Sequence, residues 1–122
     1  RLAAARRTDE DIEKIQSTLA VREKAWADRD ADGFVEADLE FHRAIVAATH
    51  NTVLVDLYYD FSAALRSSIT AAGVPLEKTY IPHDTIARAI IAGDAAEAER
   101  AAHTCMEHIL ISLTGSSELE DA

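Results

Sequence analysis

The apolar residues of this 122-residue chain recur at spacings of three and four in one segment after another. The clearest stripe consists of Phe34, Ala37, Phe41, Ile45 and Ala48. This spacing places side chains on one face of a helix, whereas a half-buried strand alternates at every second residue. Alanine is abundant, while glycine and proline are rare, which favours closely packed helices over a sheet. The pattern predicts an all-α, antiparallel bundle of about six helices with mostly short connections.

The expected helix ends follow from capping residues and breaks. Residues 1–7 resemble the last turns of a first helix, and Thr8, followed by three acidic residues, predicts the start of the second. Asn51 predicts the end of the third helix, and Pro82 suits the first turn of the fifth. The helices after the first are expected over about 9–28, 31–49, 52–72, 82–93 and 95–113. The inward stripe of the fourth is predicted as Leu54, Leu57, Phe61, Leu65 and Ile69. The connection 73–82 is the longest, and residues 114–122 are predicted to be a frayed tail.

Composition narrows the classes of partner. The formal net charge of −10 disfavours direct contact with a phosphate backbone. A single cysteine excludes an internal disulfide framework and suits a reducing, cytoplasmic location. No apolar stretch approaches the ~20 residues that span a membrane, and no signal peptide is visible. The chain lacks an initiator methionine, so we expect a single domain, residues 1–122, taken from a longer protein.

Asp38 and His42 are four residues apart and therefore project from one face of the predicted third helix. A carboxylate and an imidazole at this spacing are a common half of a metal site, although such a pair is more often a surface hydrogen bond. Here the pair flanks the apolar stripe, so we expect it to be at least half buried and to need partners. His83 at a helix start and Cys105 on an inward face are further candidates. A capping histidine and a small apolar cysteine are their simpler interpretations.

Enzyme motifs are absent from the sequence. It contains no glycine-rich phosphate loop, no G-x-S-x-G elbow, no H-E-x-x-H and no convincing Ser/His/Asp arrangement. A small metal-dependent hydrolase would also need a general base beside an open coordination position, and no residue other than the candidate ligands suggests itself. We therefore predict that the chain is not an enzyme.

Two motifs in this order resemble a known family. Residues 38–45, DLEFHRAI, resemble a D-x-x-F-H-x-x-I motif, and residues 47–51 are similar to its A-x-x-N close. Residues 83–94, HDTIARAIIAGD, resemble an H-x-x-I-x-x-A-I-x-x-G-D motif. Both are typical of the FCD domain, the C-terminal effector-binding domain of FadR-type regulators in the GntR family of transcription factors. The resemblance covers nearly the whole chain.

The resemblance implies a helical bundle that binds a small carboxylate metabolite through a divalent metal, which many members hold with one Asp and three His. It implies a homodimer, and contact with DNA only through a separate N-terminal winged-helix domain that this chain does not contain. Asp38, His42 and His83 match the first three ligands. The fourth family histidine falls on Cys105 in this chain, and His108, one turn further on, is the alternative. Zinc is the expected metal, with nickel or another transition metal as alternatives.

Other readings stay open at this point. Polar residues near the motifs, Arg66, Tyr58 and Asn51, are predicted from position alone to contact the effector. The alternative function is a metal-free ligand-binding or protein-interaction bundle, in which the histidines are satisfied core or capping groups.

Overall fold

The computed structural model describes the backbone of residues 1–72 and 81–114 and the side chains of residues 1–67 and 81–108. Over these residues the chain forms six helices and no strand, which confirms the predicted all-α fold. Residues 73–80 of the predicted connection 73–82, and the tail after residue 114, lie outside the described residues. The helices are α1 Leu2–Arg6, α2 Asp9–Ala27, α3 Ala31–Ala47, α4 Thr52–Ala72, α5 Asp84–Ala92 and α6 Ala95–Thr114. None of the helices in the described part is long and apolar enough to cross a bilayer.

Helix α2 starts after Thr8, as the sequence predicts, and its start is a capping box. The backbone N–H of Asp11 donates to Oγ1 of Thr8 at 3.2 Å, and the backbone N–H of Thr8 donates to Oδ2 of Asp11 at 2.8 Å. These two bonds satisfy amide groups that the first helical turn leaves unpaired. Beyond this start, α2 packs on α3 with Ile15 and Arg22 buried.

The core joins α1, α2, α3, α5 and α6. Ile15 of α2 and Phe41 of α3 are fully buried, and each contributes roughly 1.5–3 kcal/mol of stabilisation. Small residues let the other helices approach closely around them. The buried members from α1, α5 and α6 are Ala3, Ala4, Ile86, Ala87, Ala89, Ile90, Ala98 and Ala101. This packing brings the N-terminal end of α5 beside the middle of α3.

The predicted inward face of α4 is correct only in part: Leu54 and Leu65 are half-buried, and the side chain of Ile69 lies outside the described residues. Leu57 and Phe61, predicted to face inward, are 61% and 59% exposed. Ser62 is buried and Tyr58 is half-buried, and they mark the face that actually turns inward. The predicted inward positions of Leu57 and Phe61 are therefore wrong, because α4 packs on α3 with the neighbouring stripe.

The junction between α3 and α4 also differs from the prediction. His50, with φ of 51°, and not Asn51, takes the left-handed conformation after α3. Oδ1 of Asn51 instead accepts hydrogen bonds from the backbone N–H groups of Val53 and Leu54, at 3.1 and 3.3 Å, and so caps the start of α4. The imidazole of His50 points back toward α2, where its Nε2 lies 2.7 Å from Oδ2 of Asp11.

Helix α1 ends in two arginines that hold other helix ends. Nη1 of Arg6 donates to the carbonyl of Thr49, just beyond α3, at 3.0 Å. Nε of Arg7 donates to the carbonyl of Ile91, in the last turn of α5, at 2.9 Å. Carbonyls at helix C-termini lack intrahelical partners, so both bonds satisfy acceptors that would otherwise be unpaired.

Candidate metal centre

Three candidate ligands from two helices converge at one point. Oδ1 of Asp38 lies 3.6 Å from Nε2 of His42 and 3.3 Å from Nε2 of His83. One ligand atom from each residue lies within 4.8 Å of the other two. Ligand atoms about 2.0–2.1 Å from a tetrahedral zinc ion lie roughly 3.4 Å from one another, so these distances fit a shared divalent ion. One carboxylate oxygen with two imidazole nitrogens is also a donor set that transition metals accept.

His83 lies at the start of α5, but its side chain does not cap that helix. Helix α5 begins at Asp84, so Pro82 precedes the helix and does not lie in its first turn as predicted. His83 is the N-cap residue, but its side chain makes no capping hydrogen bond and turns into the protein, where the residue is 4% exposed. Its ring stacks on that of Phe41, with 5.6 Å between centroids, and meets the His42 ring edge-on at 5.0 Å. This packing fixes the direction of Nε2.

Asp38 carries a stable negative charge in this site. Burial alone would raise the pKa of Asp38, but hydrogen bonds with His42 and His83 and the positive charges of His42 and Arg22 outweigh it. Its pKa therefore lies well below the usual range. A metal ligand must be deprotonated, and Asp38 meets that requirement at any ordinary pH.

Arg22 is the functional residue that the sequence interpretation missed. Its stem fits the apolar spacing of α2, but its Nε donates to Oδ1 of Asp38 at 2.7 Å. A charged residue inside an apolar stripe is itself a signal, because a buried guanidinium requires a carboxylate partner. Spacing alone could not identify Asp38 as that partner.

Cys105 lies against the other nitrogen of His83. Its Sγ is 3.7 Å from Nδ1 of His83 and 3.9 Å from the carbonyl oxygen of Pro82. Burial raises the pKa of the Cys105 thiol, the positive charge of Arg22 lowers it, and the charge of Asp38 raises it, with a net increase. Sγ is not among the ligand atoms that converge within 4.8 Å. His108 is exposed and lines, with Cys105, a cleft of about 430 Å³ between α5 and α6.

The three residues predicted to contact an effector have different surroundings. Burial, followed by the negative charge of Asp38, raises the pKa of Tyr58 to about 12, so Tyr58 is within electrostatic reach of the site. Asn51 caps α4. Arg66 forms an ion pair with Glu36, with 2.8 Å between Nε and Oε1.

Comparison with known proteins gives one family and several regulators. The family model for the FCD domain matches residues 1–108. The HTH-type transcriptional regulator LutR of Bacillus subtilis (strain 168) is 32% identical over 110 residues, 82% of this chain and 48% of that protein. The galactonate operon transcriptional repressor of Escherichia coli (strain K12) is 32% identical over 108 residues, 85% of this chain and 46% of that protein. The Uxu operon regulator of Haemophilus influenzae is 30% identical over 127 residues, which cover 98% of this chain and 47% of that protein. The chain thus spans about half the length of these relatives.

Proposed function

The chain belongs to the FCD domain family, and on that premise we propose that it senses a small carboxylate metabolite through a divalent metal ion. The family is regulatory and not enzymatic, in agreement with the predicted lack of catalytic function. The observation that carries the proposal is the convergence of Asp38, His42 and His83. Their identities also match the motif positions that the family resemblance assigns to metal ligands.

Zinc is the proposed metal, with nickel or another transition metal as alternatives. Cys105 is the proposed fourth ligand, because it stands at the position that the family resemblance assigns to the fourth histidine and because thiolate is a good ligand for zinc. Its Sγ contacts Nδ1 of His83 and would have to turn toward Nε2 to join the other three ligands. His108 is the alternative, although it lies one turn further along α6 and is exposed. When bound, the metal supplies a Lewis acid to which a carboxylate can bind in place of water.

The protein residues provide the shape and charge of the site. Asp38 is held ionised, and Phe41 keeps the His83 ring oriented and shielded from water. Among the proposed effector contacts, Tyr58 is half-buried and near enough to Asp38 for that charge to raise its pKa. Asn51 would have to release the start of α4, and Arg66 would have to release Glu36. Tyr58 is therefore the effector contact with the best structural support.

The effector class rests on the relatives as well as on the metal. One relative is named for the galactonate operon, and galactonate is a small carboxylate. A hard oxygen anion such as a carboxylate is also a suitable ligand for a divalent ion held by nitrogen and oxygen donors. We propose a small organic acid of this kind for the present chain.

Dimerisation and DNA binding are proposals about the longer regulator. We propose that the domain acts as a homodimer in the cytoplasm, and that a separate winged-helix domain binds DNA. The net charge of −10 supports a division of labour in which this domain does not contact DNA. The exposed stripe of Val53, Leu57 and Phe61 on α4 offers a surface for a second copy, because a two-fold axis brings the same patch of each subunit together.

A second function is favoured by one specific observation. Arg22 forms an ion pair with Asp38, so this pair can balance the charge of the carboxylate in a metal-free bundle. Such a bundle would bind its ligand or partner with the histidines as ordinary buried groups.

Metal analysis separates the two functions. Protein purified without chelator is expected to contain close to one transition-metal ion per chain, and apo-protein is expected to take up zinc with a rise in melting temperature. A panel of small carboxylates is then expected to raise the melting temperature further only in metal-loaded protein. Asp38→Ala should abolish uptake, whereas Asp84→Ala, which removes an exposed acid beside His83, should not. A wild-type protein that takes up no zinc or nickel would leave the metal-free bundle as the function.

A further inference from the structure

Arg22 joins the helix of one ligand to the segment that carries another. Its side chain is 1% exposed. Nε donates to Oδ1 of Asp38 on α3 at 2.7 Å, and Nη2 donates to the carbonyl of Ile81, two residues before His83, at 2.7 Å. Nη1 pairs with Glu23 at 3.0 Å, and the guanidinium lies 4.7 Å from the centre of the Phe34 ring. The guanidinium is therefore fixed in place at the site.

The carboxylate oxygen that Arg22 contacts is the one that a metal would use. Oδ1 of Asp38 is the atom that faces Nε2 of both His42 and His83. An ion bound between these two imidazoles would draw on the same oxygen that now accepts from Arg22. The Asp38 side chain is 26% exposed and the Arg22 side chain 1% exposed, so a partly buried carboxylate and a fully buried permanent cation compensate each other at this contact.

We propose that Arg22 is the resident counter-cation of Asp38 in the metal-free protein, and that Arg22 and a divalent metal ion compete for the same carboxylate oxygen. This inference rests on the proposed function, since it takes the site to bind a metal. It makes Arg22 a positioning residue that keeps the empty site folded and at the same time limits how tightly the metal binds.

The proposed competition predicts the direction in which loss of the Arg22 charge changes metal affinity. Guanidinium does not deprotonate in proteins, so an arriving divalent ion meets a fixed positive charge beside its carboxylate ligand. Removing that charge therefore strengthens metal binding. It also weakens the metal-free protein, because Asp38 then lacks its buried cation. The same substitution thus raises the affinity for metal and lowers the stability of the metal-free protein. Loss of a residue with only a structural role would not raise the affinity.

Arg22→Gln is the main test, because glutamine keeps a hydrogen-bond donor and removes the charge. In the presence of chelator we expect its melting temperature to fall by about 5–10 °C. Zinc should return most of that loss, so its zinc-induced shift should exceed that of the wild type. Competition against a chelating dye should show that zinc binds about tenfold more tightly or better.

Two further variants separate charge from shape. Arg22→Lys keeps the charge and loses the fork of donors, so its zinc-induced shift should stay close to that of the wild type. Arg88→Gln removes a positive charge from an exposed pair with Asp84 and should change neither melting temperature nor zinc affinity. Equal losses of stability with and without zinc in Arg22→Gln would overturn the proposal. So would a variant that stays unfolded after zinc is added, because the metal would then fail to replace the guanidinium.

A double-mutant cycle keeps this inference distinct from the proposed function. Arg22→Gln and Asp38→Asn are measured singly and together in chelator, where no metal takes part. Strong coupling is expected, with the double variant more stable than the sum of the single losses predicts. Additive losses would reject Arg22 as the counter-cation of Asp38. Absence of zinc uptake by the wild type would reject the proposed function and with it the competition, while the cycle would still decide the counter-cation.

Discussion

Sγ of Cys105 lies 3.7 Å from Nδ1 of His83, while Nε2 of the same ring lies 3.3 Å from Oδ1 of Asp38. One imidazole thus contacts a thiol on α6 and a carboxylate on α3. The two contacts use different nitrogens of the ring, and an ion beside Asp38 would bind His83 through Nε2.

Cobalt loading tests whether Cys105 is a ligand. We expect Co²⁺-loaded wild type to show a near-ultraviolet thiolate-to-cobalt charge-transfer band, because a bound thiolate donates electron density to the metal. Cys105→Ser should abolish the band, and His108→Ala should retain it. Binding of Co²⁺ without the band in wild type would limit Cys105 to contact with His83.

His42→Ala should weaken metal binding. The variant keeps Asp38 and its bond with Arg22, so its melting temperature in chelator should fall only slightly. The stabilisation that zinc gives to the wild type should be largely lost, because one of three converging ligands is gone. His103→Ala removes an exposed histidine from α6 and serves as the control. An unchanged zinc-induced shift in His42→Ala would argue against the site.

Gly93→Ala should destabilise the fold by about 1–3 kcal/mol. Gly93 ends α5 with φ of 74°, a conformation that residues with a Cβ rarely adopt. A Cβ there would also lie 2.7 Å from Nη2 of Arg7. Urea unfolding should show the loss, and the same substitution should be less harmful in an Arg7→Met background. Equal losses in the two backgrounds would assign the whole effect to backbone strain.

Asp11 should make stability depend on acid pH. Burial raises its pKa, but hydrogen bonds from the Thr8 backbone and from His50 outweigh this and hold the pKa below 3.8. Because the folded pKa is the lower one, the stabilisation is present above the unfolded pKa and is lost as pH falls through the folded value. Asp11→Asn should therefore be less stable than wild type at neutral pH, and the difference should disappear in acid. Asp9→Asn, in the same helical turn, is the matched control.

Phe61→Asp should dissociate the proposed homodimer. Phe61 is 59% exposed, so the substitution should leave the helical circular-dichroism signal unchanged. Light scattering coupled to size exclusion should then report a monomer for the variant and a dimer for the wild type. Val21→Asp changes an equally exposed apolar residue on α2 and should remain dimeric. A dimeric Phe61→Asp would show that another face holds the subunits together.

The fold was predictable because its helices carry strong local signals. The box at Thr8 and the glycine at 93 mark helix ends by the chemistry of single residues. The rotation of α4 was not predictable in this way. Apolar residues occupy several sides of its first turns, among them Val53, Leu54 and Leu57, so the period of 3.6 fits more than one face and only packing against α3 selects between them.

The site was predictable where its residues share a helix. Asp38 and His42 are one turn apart, so the helix alone brings them together. Their approach to His83 and to Arg22 depends on how α2, α3 and α5 pack, which spacing within one helix does not encode. The role of Arg22 was the largest omission, since periodicity records where a side chain points and not which charge it meets.

The adjacent arginines at the end of α1 link the C-terminal ends of α3 and α5. Consecutive Cα atoms are about 3.8 Å apart, so Arg6 and Arg7 hold the ends of α3 and α5 against a single peptide unit. These are the two helices whose other parts carry Asp38, His42 and His83. If one of them slides relative to the other as the site fills, the bond of Arg6 or of Arg7 must break, or α1 must follow the helix end that moves. Because α1 contacts the ends of both helices, its tilt should follow the relative displacement of α3 and α5.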